Sequence, residues 1–239
     1  MNYLSDIENE NNKLALLENL PLPQLLTLCE TNKFYNNLCN GFNSERIFET
    51  RSRNEFGNDI LELKEPNMKW KEFYISVHKL NNRKLDFKNT TASDLRYLVS
   101  SLFDNNNITE LKLLIHKIIK EQRLDLLYDL RFEYHTIKTN DVNFLQWLST
   151  KINLHEHVLY EAIRKNKLDI VKWLATNIVT PRSKHSELAL EEENIEIAEF
   201  LSNLDPPVLP NVYEIYLPDI QAKKKVSDWL QSKGLPRID

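Results

Sequence analysis

The stretch Ala162-Ile163-Arg164-Lys165-Asn166-Lys167-Leu168-Asp169-Ile170-Val171-Lys172-Trp173-Leu174 has a counterpart, in register, in Ala189-Leu190-Glu191-Glu192-Glu193-Asn194-Ile195-Glu196-Ile197-Ala198-Glu199-Phe200-Leu201. In each copy a small residue leads and a turn position follows four residues later. An acidic residue, an apolar pair and an aromatic–Leu pair complete the frame. Upstream, Thr136, Asn140, Phe144 and Trp147-Leu148 fit the same frame, and more loosely so do Phe103, Asn107, Leu111 and Leu114. Pro218, Ala222, Val226 and Trp229-Leu230 extend it towards the C-terminus. The leading positions are spaced by about 33, 26, 27 and 29 residues, a range in which a fixed period marks stacked supersecondary units. Each unit is expected to be two short antiparallel helices joined at the turn position. Asn stands there in three of five units, at 107, 140 and 166. Asn enters the left-handed region more cheaply than other residues that carry a Cβ, which suits a helix end that must reverse. Stacked hairpins present surfaces rather than catalytic groups, so the array points to binding.

Composition narrows the partners. With 239 residues and a net charge of -4, the chain has room for one or two domains and exerts no long-range pull on nucleic acid or anionic membrane. The basic runs Lys223-Lys224-Lys225 and Arg51-Ser52-Arg53 fall within predicted helices and are expected to be solvated faces. No apolar stretch approaches the length that spans a bilayer, and Met1 to Lys13 lacks the basic start and apolar centre of a secretory signal. An intracellular protein without membrane or nucleic-acid partners is expected. Cys29 and Cys39, the only cysteines, sit on apolar helical faces; reduced core thiols are the expectation and a disulfide the alternative. Three glycines are too few for phosphate-cradling loops or primed hairpin turns, and alternating runs of strand length are scarce. An all-α chain follows. Abundant Asn, Lys and Ile point to an AT-rich coding genome.

The first part of the chain reads as short helices. Leu14, Leu16, Leu17 and Leu20 form a stripe that ends at Pro21-Leu22-Pro23, where one helix stops and another starts. Leu25, Leu26 and Leu28-Cys29 continue to Thr31-Asn32, which caps a third helix carrying Phe34, Tyr35, Leu38 and Cys39. Ser44 caps a fourth, which runs to about Phe56 before Gly57. Such helices are marginal alone and must bury their stripes against each other or a partner. After a connector over 58–67, Trp70, Phe73, Tyr74 and Val77 mark an amphipathic helix over 69–80. Residues 81–91 are polar and read as the domain linker, with Ser93-Asp94 opening the array. Residues 121–131 read as extra helical material, and Asp205-Pro206-Pro207 with Pro210 separates the final unit.

Two resemblances accompany this reading. Asn166 to Leu174 and Glu193 to Leu201 resemble the second helix of an ankyrin repeat, a family that stacks helix pairs and binds proteins. The chain lacks that family's Thr-Pro-Leu-His tetrad and its turn glycine, and its spacing leaves little room for the β-hairpin finger. Leu16 to Phe34 resembles the centre of an F-box, with Phe48, Arg51 and Phe56-Gly57 fitting its trailing helix. The opening Leu-Pro pair of an F-box has no counterpart in Ser5-Asp6-Ile7-Glu8. The resemblance implies docking of a Skp1-like adaptor within a cullin-type ubiquitin ligase through Leu17, Leu20, Pro21, Leu25 and Leu28. The expected organisation is an F-box-like helical domain over 1–80, a linker over 81–91 and a degenerate ankyrin-like α-hairpin solenoid over 92–239. That order in an Asn-rich chain looks like proteins of large DNA viruses, which implies the host cytoplasm or nucleus.

Catalytic and metal signatures are weak. His155-Glu156-His157 is the densest set of metal-ligand types, but histidines two apart on a helix diverge, so a solvated helix start is expected. Glu191-Glu192-Glu193 reads as a solvated helix end, and no nucleophile elbow, P-loop or dinucleotide fingerprint occurs. A non-enzymatic protein without cofactor or metal is expected. Trp147, Trp173, Phe200 and Trp229 recur at one position and are expected to seal neighbouring units, with an exposed partner-anchoring ladder as the alternative. The partner surface is then the turn row, represented by Lys138, Asp141, Lys165, Lys167 and Glu192. The expected function is a non-catalytic interaction adaptor that recruits a target protein to a ligase. The alternative is a structural scaffold, such as a virion component, using the same helices for assembly.

Overall fold

The computed structural model describes residue 12 and residues 15–41, 44–83, 85–217 and 219–238. Leu14, Pro218 and Ser5-Asp6-Ile7-Glu8, used in the sequence argument, lie outside the described residues. Among the described residues there are fifteen α-helices and no strand, so the chain is all-α. None of these helices is long and apolar enough to cross a membrane. The chain divides into two compact units, 1–126 and 127–239.

In the first unit, α1 (Leu22–Thr31) begins where Pro21 and Pro23 favour a helix start. Asn32 then caps α2 (Lys33–Asn40) by accepting the N–H groups of Phe34 and Tyr35. The long helix α3 (Ser44–Phe56) ends at Gly57, whose φ of +88° lets the chain turn into the short α4 (Asn58–Leu61). Next, α5 (Trp70–Asn82) packs against α3. The core they enclose contains Leu17, Leu25, Cys29, Leu38, Cys39, Ile47, Phe48 and Tyr74, each nearly or fully buried. Cys29 and Cys39 lie on adjacent faces of α1 and α2 with Cα atoms 5.9 Å apart, and their sulfurs form a disulfide. The expectation of reduced thiols is thereby corrected: the α1–α2 hairpin brings the two faces together.

Two further helices, α6 (Ala92–Asp104) and α7 (Ile108–Lys120), complete this unit. A capping box between Thr91 and Asp94 starts α6, two residues ahead of the expected Ser93-Asp94 opening. α7 packs on both α5 and α6. Residues 81–91, expected to separate two domains, lie inside the first unit. The Arg123 guanidinium fastens them by donating to the carbonyls of Phe87 and Thr90. The extra material over 121–131 contains one short helix, α8 (Leu124–Asp129), which straddles the division between units.

In the second unit three helix pairs follow one another: α9 (Phe132–Thr139) with α10 (Val142–Ser149), α11 (Glu156–Arg164) with α12 (Leu168–Asn177), and α13 (Ser183–Glu191) with α14 (Ile195–Ser202). First helices pack on first helices, α9 on α11 and α11 on α13, and second helices do likewise, α10 on α12 and α12 on α14. One backbone device makes the reversal within each pair. The Asn166 N–H donates to the Ile163 carbonyl and the Lys167 N–H to the Ala162 carbonyl, both at 2.9 Å, with Asn166 left-handed at φ 51°. This paired arrangement is a Schellman turn. It recurs at Asn140 and Glu193 in the second unit and at Asn106 and Gln122 in the first. The leading residues Thr136, Ala162 and Ala189 accept its longer bond and are fully buried, hence their small size.

Two expectations of the frame are corrected. At the first pair the left-handed residue is Asn106, not Asn107; Asn107 instead caps α7 by accepting the Glu110 N–H. The last unit is not a pair at all. Helix α15 (Ile220–Ser232) runs unbroken through Ala222, and its Schellman turn comes after it, at Gly234.

Candidate functional site

The five residues predicted for the turn row flank successive reversals, within two residues of the left-handed Asn140, Asn166 and Glu193. Lys138 is exposed in the last turn of α9, and Lys165 and Glu192 are exposed as the cap residues that follow α11 and α13. Asp141 and Lys167 follow the left-handed residue, where each begins a second helix. Asp141 is committed to that role, accepting the Phe144 N–H at 2.9 Å; Lys167 makes no capping bond. At the same position Asn194 behaves differently. Its side-chain amide is buried and donates to the Ile163 carbonyl at 2.6 Å, tying the third pair to the second. Nothing in its local sequence distinguishes it from a cap.

The five residues predicted to dock an adaptor are not presented together. Leu17 and Leu25 have no exposed surface and belong to the core of the first unit. Leu20 and Leu28 are partly buried against that core, and Pro21 is exposed. Beside them Arg51 is buried at 2 % exposure. It donates to the Leu17 carbonyl at 2.6 Å and to the Tyr74 hydroxyl at 2.9 Å, and pairs with Glu55 at 2.7 Å. Tyr74 in turn donates to Glu55, and its phenol is held far above the usual range by burial and by that carboxylate. This polar clamp joins the chain before α1 to α3 and α5. Its groups bond one another, an arrangement suited to holding a fold.

Of the recurring aromatics, Trp147, Trp173 and Phe200 are half-buried and Trp229 is buried. The Trp229 indole N–H donates to Glu199, which also pairs with Lys233 at 2.6 Å. These bonds hold the Glu199 carboxyl down at about 2, Lys233 contributing most. The position thus seals the unit, most completely at its C-terminal end.

An open groove of the second unit lies elsewhere, on the first helices. Between α9 and α11 runs a groove of about 610 Å³, lined by Tyr128, Arg131, Tyr134, His157, Tyr160 and Arg164 among others. His157 faces Glu133 at 3.6 Å and Arg164 faces Glu161 at 3.1 Å, while Arg131 has no ion-pair partner among the described residues. Beneath Tyr160 lies His185, fully buried, with ring centroids 4.5 Å apart. Its Nδ1 accepts the Arg182 N–H at 2.9 Å, and burial depresses its pKa. His155 precedes α11 as its cap residue and is exposed, as expected of a solvated helix start, whereas His157 faces the groove. Among the described residues no three His, Cys, Asp or Glu side chains are grouped to hold a metal. The groove offers phenols, guanidinium groups and flat rings, which recognise a surface. The sequence carries a sign of it: Arg131 and His157, and likewise Tyr134 and Tyr160, are separated by the 26-residue period. No protein-family model matches the chain, and no curated protein or solved structure shows significant similarity to it.

Proposed function

We propose that this chain is a non-catalytic interaction adaptor, with one unit anchored to an assembly and the other holding a recruited polypeptide. The observation that supports it is the repetition of one backbone turn at Asn140, Asn166 and Glu193, with like helices packed on like. Such a row buries its core between neighbours and leaves turn tips and one helix face for partners. In its finer form the reading follows the two sequence resemblances. The ankyrin-like pairs recruit a target, and the F-box-like helices dock a Skp1-type adaptor of a cullin ubiquitin ligase. Titration calorimetry of the full chain against Skp1 tests this form, repeated with Leu28→Asp. Micromolar or tighter binding that Leu28→Asp abolishes is expected; no heat with the parent chain sinks the ligase form.

A second reading has its own support. Leu17 and Leu25 are fully covered by the chain's own helices, which takes two of five docking residues out of reach. The first unit then serves as a scaffold element that assembles with other copies or coat proteins. Light scattering of the full chain from micromolar to near-millimolar concentration separates the readings: concentration-dependent assembly favours the scaffold.

A further inference from the structure

Residues 210–217 leave the α-helical pattern and cross α13, with one 3-10 turn at Val212–Glu214. Pro210, Ile215 and Leu217 are buried, while Tyr213 and Tyr216 point away at 91 % and 75 % exposure. α13 takes two backbone donors from this stretch. The Asn211 N–H donates to Glu187 at 2.8 Å and the Tyr216 N–H to Glu191 at 3.1 Å. Glu187 and Glu191 stand six and two residues before the left-handed Glu193. At the same offsets Tyr160 and Arg164 precede Asn166, and Tyr134 and Lys138 precede Asn140. Because the turns share their hydrogen bonds and the first helices lie side by side, these positions form one row. On α13 the chain's own segment covers the row. On α11 and α9 Tyr160, Arg164 and Tyr134 of the same row line the open groove.

We propose that this groove seats a segment of a partner polypeptide that is not α-helical and carries an acidic side chain, much as 210–217 is seated on α13. The inference rests on the adaptor reading and names the kind of segment recruited. Its chemistry is the reverse of that on α13. There two carboxylates accept backbone N–H groups; on α9 and α11 the positions carry donors, the phenols of Tyr134 and Tyr160 and the Arg164 guanidinium. None of the three tyrosine hydroxyls of the groove bonds within the chain among the described residues, so they are available to peptide carbonyls. Arg131, lacking an ion-pair partner among the described residues, takes the carboxylate in a charge-assisted pair. Rigid aromatic rings give contact area at small entropic cost, and Tyr and Arg dominate binding hot spots.

The test uses the full chain to select from a phage-displayed library of random dodecapeptides. Selected sequences are then measured as fluorescein-labelled peptides by anisotropy. Shared Asp or Glu residues are expected, with affinity falling at least tenfold in Arg131→Glu and in Tyr160→Ala, and unchanged in Lys224→Glu on α15. Since Tyr160 packs on His185, Tyr160→Phe keeps the ring while removing the hydroxyl, and a loss of at least threefold there carries the test if the alanine variant unfolds. Peptides weakened by Lys165→Glu or Glu192→Lys but indifferent to Arg131→Glu bind the turn row; that overturns the groove and leaves the adaptor reading standing. Failure to select any peptide overturns it too, as does a dimer of the chain that Arg131→Glu dissociates.

Discussion

Glycine substitutions at two positions give opposite signs if the repeat has been placed correctly. Glu193 holds φ 55° at the end of α13, and its side chain is exposed. A residue with a Cβ gives up about 1–2 kcal/mol in the left-handed region. Glycine avoids that loss but gains about 0.5–1 kcal/mol of freedom in the unfolded chain. Glu193→Gly therefore stabilises the second unit by a net of about 0.5–1 kcal/mol. Ala222 occupies the corresponding place in the sequence frame, yet it lies within the continuous helix α15 at 3 % exposure. There Ala222→Gly costs about 0.5–1 kcal/mol. Urea unfolding followed by tryptophan fluorescence reads the difference, because Trp147, Trp173 and Trp229 report on the second unit and only Trp70 on the first. With a slope of about 2 kcal/mol per molar, the two midpoints move apart by about 0.5–1 M. A loss at both positions would mean that Glu193 sits in ordinary helix and that the Schellman frame is misplaced.

Further outcomes follow from particular side chains. Trp173 is half-buried, so Trp173→Ala should lower the urea-derived stability of the second unit by about 2 kcal/mol, roughly half the loss of a fully buried aromatic. Arg51→Met leaves the Leu17 carbonyl without its partner, while Glu55 keeps the Tyr74 hydroxyl and His78, and should cost about 1–3 kcal/mol, read by circular dichroism. His185 is kept neutral by burial, so the unfolded chain binds its proton more readily than the folded one. Stability should therefore fall as pH drops below about 6.5, and His185→Gln should flatten that slope in urea midpoints taken from pH 7 to 5. Glu199 has the opposite charge and the carboxylate window. Its contribution is present above the ordinary carboxylate pKa and is lost as pH falls towards about 2, and Lys233→Met should reduce that dependence, the Trp229 and Asn203 bonds keeping the rest.

The turn positions were legible where one residue type stood alone with the right neighbours. Asn140, Asn166 and Glu193 all take left-handed backbone at the places that the frame marks. Asn105-Asn106-Asn107 offered three residues of the same type, and only the hydrogen bonds decide that Asn106 turns while Asn107 caps. Ala222 was misplaced because spacing alone carried the frame into α15, with no local turn chemistry behind it. The cysteines show another limit: helical stripes reveal that Cys29 and Cys39 are apolar-facing, not that α1 and α2 fold into a hairpin that joins them. The groove went unread because Trp147, Trp173 and Trp229 are the louder periodic signal. Tyr134 and Tyr160 repeat just as regularly, but as isolated tyrosines on polar helix faces they resemble ordinary surface.

Burial also decides which variants can separate the adaptor reading from the scaffold reading. Leu25 shares a core with Cys29, Leu38, Phe48 and Tyr74, and burying a leucine of this kind contributes about 1.5–3 kcal/mol. Leu25→Asp would remove that contribution and place a carboxylate among apolar groups, so lost binding would report an unfolded first unit. Leu20 and Leu28 are only partly covered, and Thr27 and Leu28 border an open apolar hollow on α1 of about 410 Å³. Asp at either position spares the fully buried core, changing the face of α1 at Leu28 and the chain just before α1 at Leu20. If Leu20→Asp and Leu28→Asp both abolish Skp1 binding at unchanged urea midpoint, α1 and the residues just before it form the docking surface. If they leave that binding intact but dissolve self-association, the same face joins copies of the chain. If neither property moves, the exposed side of α1 is bystander surface, and Tyr97 on α6, 85 % exposed, is the next position to substitute.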